Sequence, residues 1–564
     1  MHNTLLLVAV NARYSHPNLA LFSLRTCVAD LGHRTVIREF TINDSDDAIV
    51  RGIVAEEPAI VALSAYIWNA RCLKRIIPRI GTALPHARII LGGPEASYTA
   101  HAWLADFPRI DCIVAGHGET GFRRLVSGET DAGERIITIP NTPFDEIPFP
   151  YRDEDFADHN LGVRNVYYES SRGCPFRCAY CLSSRSDQRL EFRDPERVFD
   201  EIDQLMRHHP RLIKFVDRTF NARPERAIAL WEGIAARYDG SGTRFHFEVH
   251  PALLDDETLR ALAGIPAGLF QFELGIQSAH DATIEAIGRS GRWERVRESI
   301  ARLRESGNMH LHADMIAGLP GEDADAVRRS FNAIYALGAD HFQLGFLKVL
   351  PGTRLADEAA LYGIAHDPEP PYAIIESARL SRDGIAGLHA IDRLVNALHN
   401  TGRFVTTLAA LMEECSDPFA AYRALADHAR ETAQQPPDRA WEANAALILD
   451  FAAAHLPHRR GYFRDCLAWD WCATTRTHVY PAMLKRAEAA QARKSFYKSI
   501  ERGDPAAPVM IGDCALSRDE LRAAAFFHAA TDEFRARRMR GHPAALHLRA
   551  GRGGPRVVYL SSIS

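Results

Sequence analysis

Over the first ~130 residues, short apolar runs alternate with stretches of helical period. The segments "LLLVAVN" (5–11), "RTVIREF" (34–40), "AIVALSAY" (59–66), "ARIILGG" (87–93) and "DCIVAG" (111–116) read as buried strands. Helical patterns such as "NLALFSLRTCVADLG" and "NARCLKRIIPRIGTAL" lie between them. Strands that are apolar on both faces and joined by helices pair in parallel, which predicts a doubly wound, Rossmann-like α/β sheet. Such sheets bind ligands at the carboxyl ends of their strands. Here those ends carry Asn11, Ser64 and the turn Gly92-Gly93-Pro94. No GxGxxG follows the first strand, which argues against a dinucleotide site.

A proline-rich stretch, "TIPNTPFDEIPFPYRDEDF", comes next and reads as an extended linker. From Asn165 to Leu350 the alternation resumes, with six strand candidates: "NVYYESS", "LIKFVDR", "FHFEVHP", "LFQFELGIQS", "HLHADMIAGL" and "HFQLGFLKVL". Six βα units are two short of a closed (β/α)8 barrel, so a partial (β/α)6 barrel is expected. Side chains alternate faces along a strand. His246, Glu248 and His250 share one face of the third strand, Gln271, Glu273, Gly275 and Gln277 one face of the fourth, and His310, His312 and Asp314 one face of the fifth. With Phe245, Phe247, Phe270 and Phe272 turned to the outer helices, these polar faces line the inside. A polar lumen suits an open barrel with a polar ligand; the competing reading is a structural network of satisfied buried groups. Beyond residue 366 helical patterns dominate, with Trp469 and Trp471 in a candidate core segment and a closing strand "RVVYLSS". The expected organisation is therefore an N-terminal sheet domain (1–135), the linker (136–164), the barrel (165–365) and a mostly helical C-terminal domain (366–564).

Composition adds exclusions. A net charge of -5 argues against a generic nucleic-acid binder. No apolar run reaches bilayer length, and the N-terminus reads as a strand instead of a signal peptide, so a cytoplasmic protein is expected. In that compartment the ten cysteines are expected to be free, catalytic or metal-bound.

Three of those cysteines crowd into "SRGCPFRCAYC", spaced Cys174-x3-Cys178-x2-Cys181, just after the first barrel strand. Barrel enzymes place their chemistry at that end. Three thiolates on one loop can hold three irons of a [4Fe–4S] cluster and leave the fourth iron open. A structural zinc site needs four ligands, and no second Cys-x2-Cys pair is evident. A thioredoxin-type pair leaves Cys174 unexplained. The set His310, His312 and Asp314, with His246 and His250, is an alternative zinc site for a barrel hydrolase, one that leaves the triplet idle.

The run "CPFRCAYC" resembles the signature of the radical S-adenosylmethionine (radical SAM) family, Cys-x3-Cys-x-aromatic-Cys, with Tyr180 as the aromatic. "FVDRTF", "ELGIQS", "DMIAGLPGE" and "LPGTRL" resemble further segments of that family's barrel. The resemblance implies that Cys174, Cys178 and Cys181 hold the cluster, that Asp217 binds the methionyl amine, and that Glu273 and Gln277 touch the ribose. The first domain resembles the cobalamin-binding module often fused to such barrels, with Ser64, Gly92 and Gly93 approaching the cobalamin tail. The Asp-x-His-x-x-Gly element that supplies a lower ligand is absent, and the first loop offers only His16. The implied enzyme cleaves S-adenosylmethionine reductively to a 5′-deoxyadenosyl radical and transfers a methyl group from cobalamin to an unactivated carbon. It takes electrons from a flavodoxin or ferredoxin and acts on a small-molecule, lipid or peptide substrate. A cobalamin-dependent radical cyclase or rearrangement enzyme, and a cobalamin-binding sensor, remain open alternatives.

Overall fold

The computed structural model describes residues 4–130, 133–140, 142–185, 189–433, 440–475, 479–502, 524–551 and 554–560 of the 564. It divides into two compact units, one of Met1–Ala339 with Gly345–Arg382, the other of Asp340–Leu344 with Asp383–Ser564.

The first unit opens with strands β1 (Thr4–Asn11), β2 (Arg34–Thr41), β3 (Ile60–Ser64), β4 (Arg88–Gly92), β5 (Cys112–Ala115) and β6 (Ile136–Thr138). They form one parallel sheet in the order β2-β1-β3-β4-β5-β6. Every residue of β1 is buried, because helices cover both faces of the sheet. Each fully buried Leu or Val there stabilises the fold by about 1.5–3 kcal/mol relative to exposure. Helices α1 (Leu19–Cys27), α2 (Asp46–Val54), α3 (Ala70–Ala83) and α4 (Pro94–Tyr98) follow the first four strands. Ser45 caps α2 by accepting the Ala48 amide at 3.2 Å, with Asp46 and Asp47 in the first turn, where the helix dipole favours negative charge. Strand order reverses between β1 and β3, so a crevice opens above Asn11 and Ser64. The sixth strand is an addition to the five read from the sequence. The proline-rich stretch after it buries Phe144, Ile147 and Tyr151.

A second six-stranded sheet follows: β7 (Asn165–Tyr168), β8 (Leu212–Phe215), β9 (Arg244–Val249), β10 (Phe270–Gln277), β11 (His310–Ala317) and β12 (His341–Phe346), each hydrogen-bonded to the next in sequence order. The pairs from β7 to β11 are parallel. This is the expected partial barrel. In β10 and β11 buried and half-buried residues alternate without a break, with the apolar set buried. Phe247 and Phe272 pack with Trp231, Phe215 and Phe220 in an aromatic core behind the lumen. The helices behind carry strong start signals: Asp194 accepts the Glu196 and Arg197 amides ahead of Pro195–Met206, and Asp323 accepts the Ala326 amide ahead of Ala324–Tyr335. Buried and half-buried ion pairs tie the N-terminal layer to the segments on either side of β7 within this unit. Arg25 grips Asp155 with both nitrogens at 2.5 Å, Arg164 meets Glu39 at 2.7 Å, and Arg172 meets Glu119 at 2.6 Å.

The second unit is helical around Tyr422, Trp441, Tyr462, Phe463 and Trp471. It ends in a three-stranded antiparallel sheet of Ala525–His528, Ala544–Gly551 and Gly554–Leu560. Only the last of these strands is read from the sequence. Among the described residues no helix is long and apolar enough to cross a membrane.

Candidate functional site

Beyond β7 the residues Ser171–Arg172 pair antiparallel with Glu191–Phe192, and this short hairpin closes the loop that carries the three cysteines. Gly173 makes the closure possible. Its φ is +85°, and a Cβ there would collide with the Arg189 carbonyl. The loop is pinned at its centre: the Ala179 amide donates to the Ile287 carbonyl at 2.7 Å, and the Leu355 amide donates to the Ala179 carbonyl at 2.9 Å. Cys178 is buried, whereas Cys174 and Cys181 are half-buried, and all three thiols are free. Cys174 Sγ lies 3.5 Å from Thr219 Oγ1, and burial raises its thiol above the usual range. Arg289 Nη1 approaches Cys178 Sγ at 3.7 Å and brings a permanent cation to the loop.

This donor set fits an iron–sulfur cube better than a single ion. Thiolates that each hold a different iron need not converge on one point. Among the described residues no group of three or more His, Cys, Asp and Glu is arranged around a single metal position, in the cysteine loop or in the histidine-rich lumen.

Asp217 stands beneath the loop and is 1% exposed. Its carboxylate accepts the Ser170 amide at 2.9 Å, Ser170 Oγ at 2.7 Å and Ser171 Oγ at 2.5 Å. Burial raises its carboxyl to about 6, against the pull of those donors. The sequence reading gave Asp217 to a ligand amine; its present partners are the two serines that begin the cysteine hairpin.

Glu273 lies in the lumen with Lys214 Nζ at 3.1 Å and His246 Nε2 at 3.0 Å. Burial opposes its ionisation, but the His246 hydrogen bond and the Lys214 ammonium outweigh that and hold the carboxyl well below the ordinary range. Asp314 answers it: burial and the Glu273 charge raise Asp314 well above the ordinary carboxylate range. The lumen thus favours the charged form of one carboxylate and the protonated form of its neighbour. Glu248, on the strand beside Glu273, is raised to about 7 by burial, against the nearby Arg218 cation. Gln277 ends β10 at a bulge with φ +72°, a left-handed conformation uncommon outside glycine.

Ser64, Gly92 and Gly93 come together on a cavity of about 710 Å³ at the carboxyl ends of β1, β3, β4 and β5. Ser64 Oγ accepts Asn18 Nδ2 at 3.1 Å. Gly93 has φ +98°, and a Cβ there would stand 2.6 Å from the Ala65 carbonyl oxygen, so the turn is closed to other residues. The opposite wall comes from the barrel and includes Tyr167, Glu169, Arg172 and Arg218. His16 lines the same cavity and hydrogen-bonds Tyr167 Oη through Nδ1. Burial, then the Lys214 charge, lowers its pKa and favours the neutral ring. An imidazole already engaged by a phenol on one nitrogen is a positioned wall group.

Lys214, Arg289 and Tyr167 were not singled out in the sequence. Lys214 had a signal: period two on "LIKFVDR" puts it on the lumen face. Arg289 had none, because its approach to Cys178 spans 111 residues of chain.

The comparisons agree with this geometry. Residues 5–126 match the model of the B12 binding domain, residues 168–334 that of the radical SAM superfamily, and residues 360–525 a family described as a protein of unknown function, DUF4080. An uncharacterised methyltransferase of Pyrococcus horikoshii is 25% identical over 53% of this chain and 68% of its own length. The 2-(S-pantetheinyl)-carbapenam-3-carboxylate methyltransferase of Streptantibioticus cattleyicolor is 23% identical over 61% of this chain and 57% of its own length. The anaerobic magnesium-protoporphyrin IX monomethyl ester cyclase of Cereibacter sphaeroides is 24% identical over 54% and 53% respectively. The chain thus spans between about half and two thirds of these relatives. Among solved structures, the radical SAM methyltransferase TsrM of Kitasatospora setae, with cobalamin and a [4Fe–4S] cluster bound, superposes with a TM-score of 0.55 at 17% identity, over 81% of this chain and 90% of that one. A cobalamin-type sheet joined to a radical SAM barrel, with a three-thiol loop at the barrel's carboxyl end, defines a class of enzyme. This chain belongs to the cobalamin-binding radical SAM enzymes, whose cofactors are a [4Fe–4S] cluster, S-adenosylmethionine and cobalamin.

Proposed function

We propose that the protein is a cobalamin-dependent radical SAM C-methyltransferase, with Cys174, Cys178 and Cys181 as the cluster ligands and Ser64, Gly92 and Gly93 against the cobalamin tail. The observation that carries this reading is the shared cavity: the strand ends of the first sheet and the first strands of the barrel wall one space, beside the cysteine loop. When bound, these cofactors supply one-electron cleavage of the sulfonium and a methyl group for transfer.

The chain's own residues do the rest. The pinned loop presents the three cysteines from one short segment, and Arg289 offsets the charge of their thiolates. Asp217 fixes the start of the hairpin through Ser170 and Ser171, and its remaining acceptor capacity faces the methionyl amine in this reading. Gln277 at the end of β10 and Glu273 deeper in the lumen face the ribose side; Glu273 meets it as a charged acceptor already held by Lys214. The apolar core around Trp231 and Phe272 keeps water from the back of the lumen. Electrons come from an external one-electron carrier of the flavodoxin or ferredoxin type, and the acceptor is a small molecule, lipid or peptide.

Likeness to a magnesium-protoporphyrin ester cyclase supports a second reading, ring formation with the same cofactors. Product mass separates the two. Anaerobic turnover with an accepted substrate is expected to yield 5′-deoxyadenosine and a product heavier by one methylene. A product lighter by two hydrogens would favour the cyclase, and turnover without 5′-deoxyadenosine or methylation would refute both.

A further inference from the structure

Building on that cofactor placement, we infer that the short helix α4 couples the cobalamin cavity to the cysteine loop, with Tyr98 as the positioning residue. One side of α4 holds the cavity wall. Ser97 donates from its amide and its hydroxyl to the Gly93 carbonyl, both at 2.9 Å, and its hydroxyl accepts the Gly116 amide at 3.0 Å. Gly93 and Gly116 both line the cavity. The Glu95 amide donates to the Ala65 carbonyl at 3.2 Å, and the Glu95 carboxylate receives the Tyr372 hydroxyl at 2.5 Å in a buried contact.

Tyr98, the last residue of α4, meets the segments that flank the cysteine loop. The Tyr98 ring rests on Gly352 so closely that a Cβ there would stand 2.5 Å from it. The Arg185 guanidinium lies 5.0 Å over the same ring and donates to the Gly352 carbonyl at 2.7 Å. Arg185 follows Cys181 by one short turn, Leu182–Ser184. Gly352 sits just before Leu355, whose amide holds Ala179 at the centre of the cysteine loop. A single five-residue helix thus ties the glycine turn of the cavity to Arg185, at the end of the thiol loop, and to Gly352, on the segment that carries Leu355. Whatever fixes the Gly93 turn also fixes Tyr98, and through it Arg185 and Gly352. The ligand that binds first orders this clasp, and the second binds to a loop already ordered; linkage makes the effect reciprocal.

The test uses the full chain with its cluster reconstituted without oxygen and no reductant. Affinity for radiolabelled S-adenosylmethionine is measured with and without saturating hydroxocobalamin. Cobalamin is expected to tighten S-adenosylmethionine at least about fivefold in the wild type and in Tyr98→Phe, which keeps the ring. In Tyr98→Ala and Gly352→Ala the gain is expected to fall below about twofold. Arg185→Gln removes the clasp from its solvent side and is expected to behave likewise, so the test survives misfolding of the other variants. Equal coupling in wild type and Arg185→Gln, or no coupling in the wild type, would overturn the proposal. Protein that takes up no cobalamin, or no iron, would instead contradict the cofactor placement on which it rests.

Discussion

Glu322 shows how a buried side chain makes stability depend on pH. It is 1% exposed, accepts Ser278 Oγ at 2.8 Å, and burial raises its carboxyl to about 7. The unfolded chain releases this proton near 4.5, the folded chain near 7. Between those values the folded state binds more protons, so this group makes stability fall as pH rises, and the effect levels off above 7. Glu322→Gln should therefore gain stability over the wild type across that window, as read by chemical denaturation at a series of pH values. His250 works in the opposite direction. It is 3% exposed, neither ring nitrogen has a hydrogen-bond partner, and burial lowers its pKa to about 3. The stability it allows is present above 6.5 and lost progressively as pH falls toward 3. His250→Phe should flatten that acid limb and retain the iron, since the ring packs on Phe176 instead of ligating. A loss of iron in this variant would mark His250 as part of the site. At this scale the lumen was legible, because alternation alone sorts Glu273 from Phe272. The partners of Asp217 were not: Ser170 and Ser171 lie 47 and 46 residues upstream and meet it only through the pairing of β7 with β8.

Elements were legible where pattern and propensity agree. The apolar runs of β1 to β5 and the alternating faces of β9 to β11 left little choice. The strand β6 was hidden by its length of three residues and the prolines that follow it. The C-terminal strand Ala544–Gly551, "AALHLRAG", is built from strong helix formers; it pairs on both sides and buries Leu546, so tertiary context overrides propensity. The turn after β4 carries the sharpest element-scale prediction. Gly93→Ala places a Cβ against the Ala65 carbonyl at a φ that disfavours side chains. It should weaken cobalamin binding at least about tenfold, a loss of about 1.4 kcal/mol, and leave iron content at the wild-type level. Cobalamin titration followed by visible absorbance reads the first, and iron analysis the second.

For the whole molecule, a ligand that binds only the folded state stabilises it by mass action. Hydroxocobalamin at about a hundred times its Kd should raise unfolding stability by about 2.7 kcal/mol, and the same concentration should stabilise Gly93→Ala by no more than about 1.4 kcal/mol. The ion pairs Arg172–Glu119 and Arg164–Glu39 tie the N-terminal layer to the segments flanking β7, so the cavity they flank lies within the first unit. The most direct measurement is electron paramagnetic resonance of the anaerobic protein after one-electron reduction, with and without S-adenosylmethionine, on the wild type and Cys178→Ala. The account predicts the spectrum of a reduced iron–sulfur cube that changes on addition of the sulfonium and is absent from the variant, with Cys466→Ala unaffected. A wild-type protein that binds zinc in the thiol loop, or a cube that persists without Cys178, would contradict it.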